Sequence, residues 1–587
     1  MQRLNGMQIG VIMKEKMKEY CNPVNIEYKF QHYGKAAHRE AADPTLVRFK
    51  SRYYMFASMS AGFYYSDDLM DWQWHENREL GLYMYAPDVR QQGEYLYFSA
   101  SDRKPVSIWR TKDPLSDVFE KVSTPFAFWD PNLFFDDDGK VYLFWGCGNK
   151  EPLYGIELDS GSLMPAGEKV PLIYPNQAEH GFERIDYPGK EKENNTGLIM
   201  KGVNYLMNPR GTPYMEGMFC NKWNGIYYLQ YAAPGTEFPV YSDGVYVAER
   251  PLGPYKYQSH NPFSFKPSGF INGAGHGSTI EDEYGNLWHA STMRISVNGN
   301  FERRVGLFPA GLDEDGILYC NQHFADYPCV VPAGRFEASS LLPRYMLLSY
   351  NKKATASSIK EGHGVELALN EDIRTWWCAR GSAGEWFQAD LGKEYPVHSV
   401  QLNLAEEGIP VSRKKDGSYR YIDSGNHLRS CYIMEGSVDG SNWFIIKDAA
   451  SAERDLSHDY VVLKQGTRMR YIKVTAVELT YGQSFAISGL RVFGLDNGQR
   501  PGMVSRGAVT RPDDLTAKIC WENAEGAVGY NVRYGIGEKK LYTSYLVYNT
   551  NEVLITALNK GTRYWYCIDS FNESGITQGQ VVPLEMG

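Results

Sequence analysis

Apolar runs of strand length, separated by short polar corners, set the texture of the first 330 or so residues. The clearest lies around Phe128-Trp129-Asp130-Pro131-Asn132-Leu133-Phe134-Phe135 and Val141-Tyr142-Leu143-Phe144-Trp145, which flank the corner Asp136-Asp137-Asp138-Gly139. Two such runs around an Asp-Gly corner predict a β-hairpin, because Gly takes positive φ at no steric cost. The first strand is almost wholly apolar, hence buried. Pro131 is expected to hold Asp130 in an extended conformation at the strand's mouth.

The same unit recurs. An acid or histidine precedes a strand, a corner and a second aromatic strand at Asp43, Asp88, Asp130, Glu216 and His276. Repeats of roughly 40 to 50 residues built from short strands predict a propeller of four-stranded blades around a channel. Five units imply five blades over residues 31–333, with the longest insertion between Gly155 and Pro213. If each unit opens an innermost strand, the five polar residues converge on one axis.

Residues 1–30 lack this periodicity and read as an N-terminal arm, with a short helix expected over Met13 to Tyr20. Pro328 to Gly334 reads as a linker. From 340 to 495 the strands alternate differently, with landmarks at Ala354-Thr355-Ala356, Asn370-Glu371-Asp372-Ile373-Arg374-Thr375, Trp386-Phe387-Gln388-Ala389-Asp390-Leu391-Gly392 and Arg470-Tyr471-Ile472-Lys473-Val474. Residues 505–587 have the strand spacing of a small β-sandwich. The fold class expected is therefore all-β: a five-bladed propeller, a jelly-roll sandwich and a second sandwich.

Composition narrows the function. A net charge of −9 argues against a general nucleic-acid binder. Nine cysteines without a CxxC pair predict free, mostly buried thiols. No apolar run reaches the length of a membrane helix, and Met7 to Met13 is too short for a signal-peptide core. Localisation stays open, periplasmic or extracellular if a leader has been removed. The 43 Tyr, 26 Phe and 13 Trp suit strands first and sugar stacking second.

The first region resembles glycoside hydrolase family 43 on Ala42-Asp43-Pro44-Thr45, Trp129-Asp130-Pro131-Asn132-Leu133-Phe134, Tyr214-Met215-Glu216-Gly217 and Gly275-His276-Gly277-Ser278. The resemblance implies an inverting hydrolase with Asp43 as general base, Glu216 as general acid and Asp130 as the acid that raises the pKa of Glu216 and orients it. It adds His276 as an axial residue facing substrate, a calcium or its water shell; a buried structural histidine is the alternative. Trp129, Arg304 and Asp88 are the candidates for sugar contact. Arg304 is chosen over Arg303, which a strand turns the other way. Asp88 is read as structural or as a hydroxyl contact.

Residues 340–495 resemble the discoidin-like, coagulation-factor C-type module, a carbohydrate-binding domain in bacterial enzymes. That likeness offers Asn370, Asp372 and Thr375 as oxygen ligands for a structural calcium; a self-contained Asx-type turn is the alternative. Gly489 stands where many relatives carry an acid. Residues 505–587 resemble a fibronectin type III domain and are assigned no chemistry. No cofactor is needed for the reaction.

The reading is an exo-acting, inverting glycosidase on plant polysaccharide or oligosaccharide, an α-L-arabinofuranosidase or β-xylosidase. A β-galactosidase-type or other family 43 activity is the runner-up, and a non-catalytic carbohydrate-binding protein the rival from another class. Removal of 340–587 is expected to leave hydrolysis of small glycosides intact.

Overall fold

The computed structural model describes residues 17–33, 36–186, 211–407, 409 and 428–585. It is almost entirely β, as the alternating and apolar runs require. Five four-stranded antiparallel sheets follow one another: β4–β7 (Thr45–Phe49, Arg52–Phe56, Gly62–Ser66, Gln73–Glu76), β8–β11 (Asp88–Gln92, Tyr95–Ser99, Ile108–Thr111, Glu120–Ser123), β12–β15 (Asn132–Phe135, Val141–Trp145, Leu153–Leu158, Val170–Ile173), β16–β19 (Glu216–Trp223, Ile226–Ala233, Ser242–Ala248, Lys256–Tyr257) and β20–β23 (Asn272–Glu281, Leu287–Arg294, Arg303–Leu312, Leu318–Cys320). Their first strands contact one another in a closed ring, β4, β8, β12, β16, β20 and back to β4. This is a five-bladed propeller.

Side chains stitch that ring from blade to blade. Ser278 Oγ accepts from Leu46 N and donates to Pro44 O, Thr45 Oγ1 donates to Pro87 O, and Asp88 Oδ2 accepts from Leu133 N. Asn132 Oδ1 then accepts from Cys220 N, and Asn221 Nδ2 donates to Thr279 O. Each first strand thus satisfies a buried backbone group of its neighbour, which such groups require. The hairpin corner at 136–139 forms as the sequence predicts, with Gly139 at φ +86°. Asp136 in that corner accepts from Tyr227 Oη and Lys222 Nζ of blade four.

Two expectations at the ends of the propeller are corrected. The arm is no helix over its described part: β1 (Lys18–Tyr20) pairs antiparallel with β24 (Cys329–Val331), so the stretch read as a linker contains a strand. Residues 13–16 of that expected helix lie outside the described residues, as do 187–210 of the long insertion. Beyond β1 the chain is laid against β22, with Asn22 bonded to both N and O of Leu307 and Val24 N to Val305 O. It then forms the hairpin of β2 (Lys29–Tyr33) and β3 (Ala36–Glu40).

In the second region one long strand, Trp386–Leu404, serves both layers of a β-sandwich. Its first half pairs with Lys353–Ala356 and Arg468–Glu478, its second with His458–Val462 and Ala486–Gly494. Leu402, Val474, Phe387 and Trp377 are among the side chains closed between the layers. The last region has a three-stranded sheet (Ala508–Asp513, Thr516–Cys520, Glu552–Ile555) facing one ordered Thr543–Tyr548, Gly529–Gly535, Trp565–Asn572, Gly575–Thr577.

Neither region hangs free. Arg184 of the propeller donates to Leu515 O, Thr556 O and Thr516 Oγ1 of the last region, and Tyr319 stacks on Tyr542 at 4.1 Å. Arg39 and Arg304 reach into the second region. All nine cysteines are unpaired, so packing and hydrogen bonds carry the assembly. Among the described residues no helix is long and apolar enough to cross a membrane.

Candidate active site

Strand placement brings four of the predicted polar residues to one mouth of the channel. Asp43 and Asp130 each precede a proline at the start of an inner strand, yet neither is extended. Their φ values are +50° and +51°, and Ala86, before Pro87, has +49°. The left-handed region costs a non-Gly residue about 1–2 kcal/mol, and a specific bond holds each one there. The backbone N–H donates to a hydroxyl at the end of the second strand of the preceding blade: Asp43 to Thr292 Oγ1 (2.8 Å), Ala86 to Ser58 Oγ (2.7 Å), Asp130 to Ser101 Oγ (2.8 Å).

This threefold recurrence changes the register of the repeat. Ala86, rather than Asp88, is the blade-two counterpart of Asp43 and Asp130. Asp88 corresponds to Thr45 and Asn132, the ring-stitching positions. Asp88 is 1 % exposed, and its carboxylate accepts from Asn132 Nδ2 at 2.8 Å as well as from Leu133 N. Its place as a sugar contact is therefore corrected to a structural one.

Asp43 is the centre of a donor shell. Ser58 Oγ donates to Oδ2 at 2.5 Å, Thr292 Oγ1 to Oδ1 at 3.3 Å, and Arg303 Nη1 to Oδ1 at 3.2 Å. Burial would raise its pKa, but Arg303, the nearby His276 and the two hydroxyls outweigh that and lower it. The choice of Arg304 over Arg303 is corrected here, since the strand phase is the reverse of that expected. Arg303 also donates to Glu40 Oε1 at 2.9 Å. Arg304 is fully buried on the other face, bonded to His458 Nε2, Arg39 O and Glu406.

Glu216 opens β16 and accepts from Tyr241 Oη at 2.5 Å. Burial first, then the charge of Asp43, pushes it up to about 8. Asp130 goes up to about 7, by burial with Glu216 and Asp43 adding to it and His276 opposing. Ser101 Oγ donates to its Oδ1, while Oδ2 is buried with no hydrogen-bond partner among the described residues. One carboxyl is thus held ionised and two hold protons near neutrality, the separation that acid–base work on one substrate needs.

His276 stands between these acids, its Nδ1 3.6 Å from Asp43 Oδ1 and 3.9 Å from Asp130 Oδ2. Its own left-handed backbone (φ +49°) is fixed by Asp243, which accepts from His276 N at 2.6 Å and Gly277 N at 3.0 Å. Gly217 has φ +63°, and a Cβ there would lie 2.7 Å from the imidazole. Only glycine lets the ring come so close. Trp129 is half-buried beside Asp130. Cys147 and Tyr214 lie near the acids, and burial raises both their pKa values.

Sequence reasoning missed Tyr241, Glu40, Asp243 and the hydroxyls. Only the hydroxyls leave a trace in the sequence, as Phe56-Ala57-Ser58 and Phe98-Ser99-Ala100-Ser101 recur after second strands.

Ligand atoms of Asp130, Glu216 and His276 lie within 4.8 Å of one another, and Asp130 Oδ2 is orphaned. Two carboxyls and one imidazole could take a cation, with water supplying the rest of the six to eight oxygens calcium prefers. The turn at 370–375 does not match that donor set. Asn370 Nδ2 donates to Thr375 Oγ1, and both oxygens of Asp372 accept from Arg374 at 2.9 and 3.1 Å. The turn is closed on itself.

Residues 37–318 match the Glycosyl hydrolases family 43 profile and residues 353–489 that of the F5/8 type C domain. An arabinoxylan arabinofuranohydrolase of Paenibacillus polymyxa is 26% identical over 205 residues, covering 32% of this chain and 27% of that protein. A xylosidase/arabinosidase 43A of Humicola insolens is 27% identical over 193 residues, covering 30% and 57%. The chain therefore spans less than two thirds of either relative. The crystal structure of a thermostable family-43 glycoside hydrolase is 26% identical, with a TM-score of 0.38 over 51% of this chain and 95% of that one. The propeller with its axial acids is thus a glycosyl hydrolase family 43 domain, followed by an F5/8 type C domain.

Proposed function

We propose that this protein hydrolyses glycosidic bonds with inversion, removing α-L-arabinofuranosyl or β-xylosyl units from the ends of plant polysaccharide or oligosaccharide. The observation that carries the reading is the split between Asp43, lowered, and Glu216, raised to about 8. Asp43 takes a proton from water, whose oxygen bonds to the anomeric carbon. The bond from that carbon to the leaving oxygen breaks, and this oxygen takes the proton of Glu216. Inversion needs the two carboxyls about 6.5–9.5 Å apart so that water fits between. Asp130, itself protonated near neutrality, keeps negative charge beside Glu216 at higher pH and so delays its ionisation. A cation on Glu216 would do the reverse and strip the acid of its proton. The names of the relatives favour arabinose and xylose over galactose.

In the same reading the propeller ends near residue 333, the F5/8 type C domain holds polysaccharide, and residues 505–587 are a fibronectin type III domain. The two-sheet strand order of that last region supports the assignment. Aryl α-L-arabinofuranoside, β-xyloside and β-galactoside are to be offered to the protein and to Asp43→Asn, with the first-formed anomer read by NMR. Release of one inverted sugar that vanishes in the variant is expected. A retained anomer would overturn the mechanism, and binding to polymer without release would turn the reading to a carbohydrate-binding protein.

A further inference from the structure

β3 and β22 lie side by side, with Ala41 N donating to Arg303 O and Arg304 Nη1 to Arg39 O. Neighbouring residues on each strand face opposite ways. Glu40 and Arg303 turn towards the axis, where Arg303 joins Glu40 to Asp43. Arg39 and Arg304 turn towards the F5/8 type C domain. There Glu406 Oε1 accepts from Arg39 Nη1 at 2.8 Å and from Arg304 Nη2 at 3.2 Å. His458 Nε2 accepts from Arg304 Nε at 2.7 Å, and its Nδ1 is held by Asn403. Asp455 accepts from Arg39 Nε and Nη2 at 2.9 and 3.0 Å. Both arginine side chains are fully buried, and Glu406 and Asp455 are 2 % and 6 % exposed.

We propose that Glu406 of the F5/8 type C domain is a positioning residue for the base: by clamping Arg304 and Arg39 it fixes β22 and β3, and with them the Arg303 bridge on Asp43. The inference rests on Asp43 being that base, and it makes the second domain part of the frame of the propeller's site. Buried clusters of this kind leave little freedom, because a lost partner leaves a charge uncompensated in low dielectric. A slackened Arg304 therefore lets the β22 backbone shift, and Arg303, one residue away, moves with it.

The test is Glu406→Gln, which keeps the shape and removes the charge, with Lys540→Ala as control. Lys540 joins the last region to Asp313 and Asp315, in the turn that follows β22 at the end of the strand opposite to Arg303 and Arg304. Expected for Glu406→Gln are a loss of about tenfold in kcat on the sugar that wild type releases, KM within twofold, and amide exchange at residues 40–46 several-fold faster. Lys540→Ala should change neither. Wild-type kcat together with wild-type exchange at 40–46 would overturn the inference, as would an equal loss in both variants. If Glu406→Gln does not fold, Arg304→Lys, which cannot reach His458 and Glu406 together, is read in the same way. A wild type that releases no sugar defeats the hydrolase reading, and exchange at 40–46 then decides the positioning claim alone.

Discussion

The axial pocket and the junction between propeller and F5/8 type C domain are built from the same groups, buried arginine beside buried carboxyls, and they behave in opposite ways. At the junction Arg39 and Arg304 face Glu406 and Asp455 with every carboxylate oxygen bonded, and the pKa of both acids falls despite burial. A third acid, Glu302, is pushed up to about 7 by burial and the charge of Glu406, so its proton completes the balance. In the pocket one arginine serves Asp43 and Glu40 by direct bonds; among the described residues Asp130 and Glu216 hydrogen-bond only to hydroxyls, with His276 opposing the rise of Asp130 and Arg303 more distantly that of Glu216. Glu40, Asp130 and Glu216 rise to about 7, 7 and 8. A balanced cluster fixes structure; an under-neutralised one stores protons that chemistry can use.

The comparison breaks most readily at Asp43. Asp43→Asn is expected to lower kcat by about 10²–10⁴-fold, the share of one general base, with little change in melting temperature. A large stability loss with residual activity would mean that the pocket, too, is chiefly structural.

At the junction the balance reverses. Arg304→Met leaves Arg39 alone to face both Glu406 and Asp455, so that one buried negative charge is uncompensated, and should cost about 3–5 kcal/mol in urea unfolding. Removal of residues 340–587 strands both Arg39 and Arg304, so the expectation drawn from sequence that the propeller survives alone is replaced by one of an unfolded or insoluble product. A soluble, active truncated propeller would show that the junction carries less than its geometry suggests.

Glu216→Gln sharpens the contrast in two measurements. Turnover should fall steeply for alkyl leaving groups and much less for activated aryl ones, because the latter need less protonation. Stability should move the other way. A carboxyl at about 8 in the folded protein and about 4.5 unfolded binds more protons when folded. Its contribution is fully present below pH 4.5 and is lost as pH rises through 8. Gln does not titrate, so the variant should gain melting temperature relative to wild type above pH 8 and not at pH 4.

Asp88→Asn should destabilise by about 1–3 kcal/mol through its ring bonds and leave kcat within twofold. The smallest effect belongs to Tyr241→Phe. Tyr241 lowers the pKa of Glu216, so its loss should shift the alkaline limb of kcat/KM, expected near pH 8, slightly upward. A downward shift would reverse the assigned role of that hydrogen bond.

Much of this was legible from residues. Recurring strand pairs and their corners predict five blades, and Asp43, Asp130, Glu216 and His276 fall at equivalent positions because strand starts are marked by local chemistry. Asp88 shows where such reading slips. Ala86-Pro87-Asp88 offers an acid two residues late, and only the hydroxyl bonds to Asp43, Ala86 and Asp130 reveal the true register. Asp130 itself was misjudged because the proline rule describes an isolated dipeptide, while the bond from Asp130 N to Ser101 favours a left-handed backbone.

The sequence by itself determined the period-two patterning, the turns and the order of the acids, since these depend on neighbours a few residues apart. Tertiary structure decided which of Arg303 and Arg304 meets Asp43, which carboxyl keeps its proton, and that Glu406, 102 positions beyond Arg304, closes over Arg39 and Arg304. Those outcomes depend on burial and on charges brought together from distant strands, and the local pattern carries no record of either.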